Sequence, residues 1–237
     1  MKVALVCIAK NEDPYIQEWI DYNKKLGFDD IFIYQNDWRW DGESENVHKF
    51  EIDGINKQRE AYTHFIKKHK NEYEWAAFFD VDEFLVLKKH ENIHSFINDY
   101  SDYPAIGINW FLFGDSGVKT INNEYSVVKR FTMRKSTIDQ HVKCIVKLSD
   151  GLTMNIHNPN HSWYDTEGNI HTGPFNKVGK NDVAQINHYF IKTEEEFSLK
   201  CDRGRADTTN KRTINEFPHH NFNEVEDLTA YNFFNNL

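Results

Sequence analysis

Asp80-Val81-Asp82-Glu83 puts three carboxylates into four residues, directly after the apolar run Trp75-Ala76-Ala77-Phe78-Phe79. A run of that length reads as a buried strand, and the acids mark where the chain leaves the sheet. Alternate residues of extended backbone point the same way, so Asp80 and Asp82 are expected to face one pocket together. Two carboxylates that close repel each other unless a cation lies between them. Hard oxygen ligands suit Mn²⁺ or Mg²⁺ better than zinc. The plainer alternative is an acidic turn with Glu83 solvated.

Other groups fall where a ligand could reach them. Lys10-Asn11-Glu12 follows the first apolar run and is expected to border a nucleotide, although Asn11 equally suits a helix cap. Gln58 and Arg59 open a helix on the same side. Arg59 can meet phosphate through paired donors or be an ordinary solvated residue. Trp110-Phe111-Leu112-Phe113-Gly114-Asp115-Ser116-Gly117 offers aromatics to wall a ligand pocket and glycines that let a loop approach a ligand closely. Asp115 is the candidate general base, or else a turn residue before Ser116-Gly117.

His157, His161 and His171 form a loose cluster. The four-residue spacing of the first two would suit a zinc-binding helix, but Asn158-Pro159-Asn160 speaks against a helix there. A polar loop over the acceptor fits better, with one of these histidines as the alternative base. Lys200, Arg203 and Arg205 close the series as a cation cluster, able to meet phosphate or to form a solvated helix end.

These residues need elements to position them. Residues 2–9 are nearly all apolar, the pattern of a parallel strand covered on both faces. A helix follows, with Asn11 or Asp13 as cap, Pro14 in its first turn, Ile16, Trp19, Ile20, Asn23 and Leu26 at helical spacing, and Gly27 as its end. A second strand at 30–35 completes a βαβ unit, and 36–46 is a polar loop at its carboxyl end. A strand near 48–52, a helix at 56–69, the strand at 75–79, a helix near 91–100 and a strand at 105–112 continue the alternation. From 125 to 190 the segments are shorter and mostly extended, at 126–133, 142–148 and 183–191. The expected fold is α/β, a nucleotide-binding sheet of mixed direction with an α+β C-terminal half. With no repeat, low-complexity tract or linker, one domain over 1–237 is expected.

Composition narrows the function. A net charge of −9 disfavours nucleic acid, whose phosphates demand a surplus of Lys and Arg. Cys7, Cys144 and Cys201 are few, odd in number and far apart, which argues against a disulfide framework and suits a cytoplasmic protein. No apolar run reaches membrane-spanning length, so membrane contact is expected to be peripheral at most.

Ala9-Lys10-Asn11-Glu12, Tyr15 to Tyr22, Leu26-Gly27-Phe28, Asp80-Val81-Asp82-Glu83-Phe84, Asn187-His188-Tyr189, Glu195-Glu196-Phe197, Lys200 and Arg203-Gly204-Arg205-Ala206-Asp207 occur in this order. In order and combination they resemble the glycosyltransferase family 2 and family 92-like proteins of the GT-A fold. The resemblance spans roughly residues 3–207. It implies a metal-dependent transferase taking a sugar from a nucleoside-diphosphate sugar, a UDP-sugar first among them, to a glycan hydroxyl in surface polysaccharide or glycan synthesis. It further implies Asp82 as direct ligand of Mn²⁺ or Mg²⁺, Asp80 on ribose or metal, and His188 as the third group. Asn36, Asp37 and Asp41 would meet base and ribose. Residues 1–115 would form the donor half and 116–237 the acceptor half. A nucleotidyltransferase or phosphohydrolase, and a non-catalytic sugar-binding module, are the rival readings.

Overall fold

The computed structural model describes residues 1–121, 123–205 and 208–235. Its first half alternates β1 (Val3–Ala9), α1 (Ile16–Leu26), β2 (Asp30–Gln35), β3 (Val47–Glu51), α2 (Gln58–His69), β4 (Trp75–Phe78), β5 (Glu83–Leu87), α3 (Ile93–Asp99) and β6 (Ala105–Leu112). The second half adds α4 (Val127–Arg130), β7 (Met133–Arg134), β8 (Val142–Lys147), β9 (Trp163–Tyr164), β10 (Ile170–His171), β11 (Ala184–His188) and α5 (Glu194–Arg203). A 3₁₀ turn at Ile214–Glu216, α6 (Phe217–His220), β12 (Val225–Glu226) and α7 (Thr229–Asn235) follow.

One mixed sheet takes strands from both halves, in the order β10-β9-β6-β8-β4-β1-β2-β3, and β11 joins β6 and β5 to it. The four strands β3, β2, β1 and β4 run parallel. Between β4 and β6 lies β8, antiparallel to both. The strand order turns back at β1, which has β2 on one side and β4 on the other. In open α/β sheets the crevice outside the carboxyl ends at such a reversal is where ligands bind.

The unbroken apolar run of β1 follows from burial on both faces. Val3, Leu5, Cys7 and Ala9 enter a core shared with Trp19 and Ile20 of α1 and Phe96 of α3. Ala4, Val6 and Ile8 enter a second core against Ala61, Tyr62, Phe65 and Ile66 of α2. Gly27 ends α1 with φ of 97°, a left-handed conformation in which a side chain would be strained, and its N–H bonds back to the helix carbonyls.

Three local expectations are corrected. Neither Asn11 nor Asp13 caps α1: its N-cap is Tyr15, without a side-chain bond, while the Asp13 carboxylate accepts from Trp38 Nε1 at 2.7 Å. Residues 126–133 are not a continuous extended segment. The Glu18 carboxylate of α1 accepts from Val127 N at 2.6 Å and from the Ser126 hydroxyl at 2.5 Å, so a side chain far away in sequence satisfies the donors of a helical turn. The acidic run does not continue strand β4 either. Glu83 N bonds to Asp80 O at 3.0 Å, so the chain turns at 80–83 and starts β5, and the expected strand alternation does not set the directions of Asp80 and Asp82.

A buried ion pair of the second half is tied to the first through Tyr15. Arg130 donates Nη1 and Nη2 to the two Glu196 oxygens, each at 2.8 Å, while Tyr15 OH and Thr193 Oγ1 bond to the same carboxylate at 2.6 and 2.7 Å. Burial alone would raise the Glu196 carboxyl; Arg130, Tyr15 and Thr193 outweigh it and lower it to about 2. A carboxyl depressed on folding adds stability above its unfolded value of about 4.3, and that contribution fades as pH falls towards the folded value. Glu196→Gln should therefore cost about 3–5 kcal/mol at neutral pH by stranding a buried guanidinium. In urea denaturation the deficit should shrink as pH is lowered from about 5 to 2; a deficit independent of pH would show that the pair is not its source.

Candidate functional site

The carboxyl ends of β1 and β4 open into a cavity of about 380 Å³, within the size range of small-ligand sites. Ile8, Lys10, Glu12, Gln58, Asp80 and Val81 line it from the first half of the chain. Trp110 and Leu112 of β6, Asp139, His141, His157, His188 and Phe190 form the facing side. Arg203, Gly204, Arg205, Arg212, Glu216 and His220 roof it.

The turn after β4 is built on charge compensation. Lys143 of β8, whose side chain is fully buried, places Nζ 2.9 Å from Asp80 Oδ2 and 3.3 Å from Glu83 Oε2. Asp80 also accepts from Gln58 Nε2 at 2.9 Å, so the first turn of α2 is locked to the acidic turn. Glu83 is wholly buried, contrary to a solvated role; burial, with Asp80 and Asp82 nearby, pushes its carboxyl well up against the pull of Lys143. Its Oε1 finds no hydrogen-bond partner among the described residues.

Asp82 meets a different set. Lys200 Nζ lies 2.5 Å from its Oδ2 and donates at 2.7 Å to Phe190 O, and His188 Nε2 lies 3.5 Å from its Oδ1. Burial alone would raise the Asp82 carboxyl; Lys200 and His188 outweigh it and hold it well below the usual carboxylate range. Burial in turn lowers His188, which favours a neutral imidazole, and its Nδ1 is buried without a partner. A deprotonated carboxylate and a neutral imidazole turned towards each other are the donor types a divalent cation takes. Among the described residues there is no group of three or more His, Cys, Asp or Glu side chains able to hold a metal. The arrangement thus fits a cation that draws most of its shell from a ligand's phosphates and water, as Mg²⁺ commonly does, and not an all-protein cage.

The remaining expected residues divide. Lys10, Glu12, Gln58, Arg203 and Arg205 line the cavity with Asp80 and His188. Arg203 pairs with Glu12 Oε1 at 2.5 Å and donates to Lys10 O at 2.8 Å, so the end of α5 folds onto the turn after β1. Asn11 has φ of 51° and faces a neighbouring cavity beside Lys200 and Arg203. Asn36 is buried and donates to Ile52 O and Gly54 O, while the Asp37 carboxylate binds Lys10 Nζ at 3.0 Å and Gly54 N at 2.9 Å. Both hold the loop after β2, and neither they nor Asp41 line the cavity. Arg59 is exposed and outside it.

Asp115 is also outside the lining, and its Oδ1 accepts from Gly117 N at 2.9 Å and from Asn223 Nδ2 at 3.1 Å. That is the geometry of the turn residue, not of a group facing an acceptor. Of the three clustered histidines only His157 reaches the cavity. His161 bonds to Ser162 O, and His171 stacks on Trp163 and bonds to Asp165 at 2.9 Å.

Among the residues that the sequence reading missed are Lys143, buried behind the acidic turn and outside the lining, and the lining residues Asp139 and His141. Lys143 had a signal, a lone charge inside the apolar run Val142-Lys143-Cys144-Ile145-Val146, where burial demands a partner. Asp139 and His141 had one too, an acid and an imidazole two residues apart before that strand.

The sequence model of glycosyltransferase family 92 matches residues 36–225 of this chain. The chain belongs to glycosyltransferase family 92. A family 92 protein of Arabidopsis thaliana is 28% identical over 214 residues, covering 81% of this chain and 36% of its own length. One of Oryza sativa subsp. japonica is 27% identical over 216 residues, covering 86% and 35%. The family 92 chain thus spans little more than a third of the length of these relatives. Among solved structures, HddC from Yersinia pseudotuberculosis complexed with GMP-PN is 11% identical, covers 84% of this chain and 98% of its own, and has a TM-score of 0.42. At that score the likeness adds nothing to the strand order.

Replacing Lys143 by Met should destabilise this family 92 chain by about 3–5 kcal/mol, because Asp80 and Glu83 then lack their cation. Adding Glu83→Gln should return part of the loss in a double-mutant cycle read by urea denaturation. Strictly additive losses would show that Lys143 does not serve Glu83.

Proposed function

We propose that this chain transfers a sugar from a nucleoside-diphosphate sugar, a UDP-sugar first among the donors, to a hydroxyl of a glycan acceptor, with Mn²⁺ or Mg²⁺ at Asp82 and His188. The observation that carries this reading is the position of the Asp82–His188 pair beside a cavity at the strand-order reversal. Family 92 membership supports the transferase class. The rival nucleotidyltransferase reading draws on no residue that the transferase leaves unused.

The cavity divides the work by charge. Arg203 and Arg205, at the end of α5 and just beyond it, present guanidinium groups suited to a diphosphate, whose oxygens accept paired N–H donors. Lys10 adds a cation at the end of β1. Asp80, steadied by Gln58 and Lys143, is the carboxylate available to a ribose hydroxyl. When bound, the cation would offset the negative charge that gathers on the leaving diphosphate. Lys200 keeps Asp82 anionic for that purpose and lies close enough to share the load.

Calorimetric titration with UDP, GDP and dTDP, with Mn²⁺ and then with EDTA, tests the reading on wild type and Asp82→Asn. One nucleotide, UDP first, should bind only with metal, and the substitution should weaken it about 10- to 100-fold. Binding indifferent to both EDTA and the substitution would remove the metal from the site. No binding of any of the three would overturn the donor site and bring forward a sugar-binding module.

A further inference from the structure

A transfer to a hydroxyl needs a group that takes its proton, and the cavity contains one candidate whose geometry is built for the task. His141 Nδ1 lies 2.7 Å from Asp139 Oδ1, which also accepts the His141 backbone N–H at 2.9 Å. Both side chains line the cavity. With Nδ1 engaged by a carboxylate, the tautomer is set with the proton on Nδ1 and the lone pair on Nε2. Nε2 has no hydrogen-bond partner among the described residues.

The imidazole plane is fixed from two sides. Trp110 stacks on it with centroids 5.0 Å apart and planes at 20°, and Phe175 meets it edge-on at 4.8 Å. The turn carrying the pair is bound to β6: Asp139 N donates to Trp110 O at 2.9 Å, Trp110 N to His141 O at 3.1 Å, and Asn109 Nδ2 to Asp139 O at 2.9 Å. A catalytic pair benefits from such support, because its rotamers are then set before substrate arrives. Trp110 also places the pair relative to the acids, since its ring contacts His188 as well, at 4.2 Å between centroids. His141 and the group that contacts Asp82 therefore pack on the same indole.

His157 is the competing imidazole on this wall, 5.5 Å from His141 between centroids. Its Nδ1 is bonded to Val142 O at 3.1 Å, and burial, with Lys143 nearby, pushes it down to about 3, too low to hold a proton at neutral pH. The other titratable groups near the pair are Lys135, which acts on Asp139, and His220, on which Asp139 acts.

We propose that His141 is the general base of this transferase, positioned by Asp139, in a single displacement that inverts the anomeric centre. The assignment rests on the transferase reading above. The acceptor oxygen forms its bond to the anomeric carbon as the bond from that carbon to the β-phosphate oxygen breaks, and the nucleoside diphosphate leaves with the electron pair. The hydroxyl proton passes to His141 Nε2, and the imidazolium formed is balanced by the Asp139 carboxylate. Asp139 does not touch the substrate; it is a positioning residue.

The test is release of nucleoside diphosphate from UDP-galactose, UDP-glucose and GDP-mannose with a panel of methyl glycosides as acceptors, followed between about pH 5 and 9, where imidazoles titrate. Wild type, His141→Gln and Asp139→Asn are compared, with UDP and GDP binding measured in parallel. His141→Gln should lose on the order of 10²- to 10⁴-fold in transfer rate while nucleotide binding is unchanged. Azide, which needs no deprotonation, should restore release and give a glycosyl azide of inverted configuration. Asp139→Asn should lose less and move the acid limb of the rate profile to lower pH, because the imidazolium has lost its counter-charge. A purely structural role for either residue would leave that limb in place. Full transfer with an unmoved limb in both variants, or a product of retained configuration, would overturn the assignment while leaving the transferase intact. A wild type that releases no nucleoside diphosphate from any donor would overturn both.

Discussion

Asp80, Asp82 and Glu83 crowd one turn, and each is compensated from a distant part of the chain: Lys143 from β8, His188 from β11 and Lys200 from α5. An uncompensated buried charge costs several kcal/mol, a large share of the 5–15 kcal/mol net stability typical of a domain. The turn therefore cannot close until the second half of the chain is in place. This accounts for an antiparallel strand standing between β4 and β6, since β8 is what delivers a fully buried ammonium to the end of β4. The Arg130–Glu196 pair acts in the same direction, because it holds α5, and with it Lys200 and Arg203, against the start of α1.

Local signals made the first half of the fold readable. The strand β6 falls on the expected 105–112, and Gly27 ends α1 as its left-handed backbone requires. What failed was set by non-local partners. The helical turn at Val127–Arg130 exists because Glu18 reaches its donors, and no pattern within 126–133 contains Glu18. Asp115 was legible as an acid beside glycines, but its role follows from Asn223, more than a hundred residues later. The acidic turn was readable as a place and not as a geometry. Three acids after an apolar run mark the end of a strand, whereas which way each points depends on Lys143, Gln58 and Lys200.

The same distinction holds for the cavity. Asp80, His188, Arg203 and Arg205 come together from three segments because the sheet and α5 converge there, so motifs far apart in sequence meet at one cavity. Asn36 and Asp37 sit at an equivalent strand end yet turn their side chains to the loop at Ile52–Gly54. Polar residues after a strand serve either a ligand or the backbone of their own loop, and the choice depends on whether unpaired N–H and C=O groups lie within reach.

In the proposed transfer, leaving-group departure and proton removal would make opposite electrostatic demands, to be met by different residues of the cavity. Departure would want cations near the phosphates, and Arg203, Arg205 and Lys10 are among the lining. Proton removal wants a neutral imidazole that is not itself paired with those cations or suppressed by them. His157 is not such a group: burial, with Lys143 adding to it, pushes its imidazole down to about 3. His141 instead holds Nδ1 on the Asp139 carboxylate and packs on Trp110, whose indole also contacts His188. One apolar ring thus packs against both the imidazole proposed as base and the imidazole beside Asp82, so their relative placement is fixed before any ligand is bound.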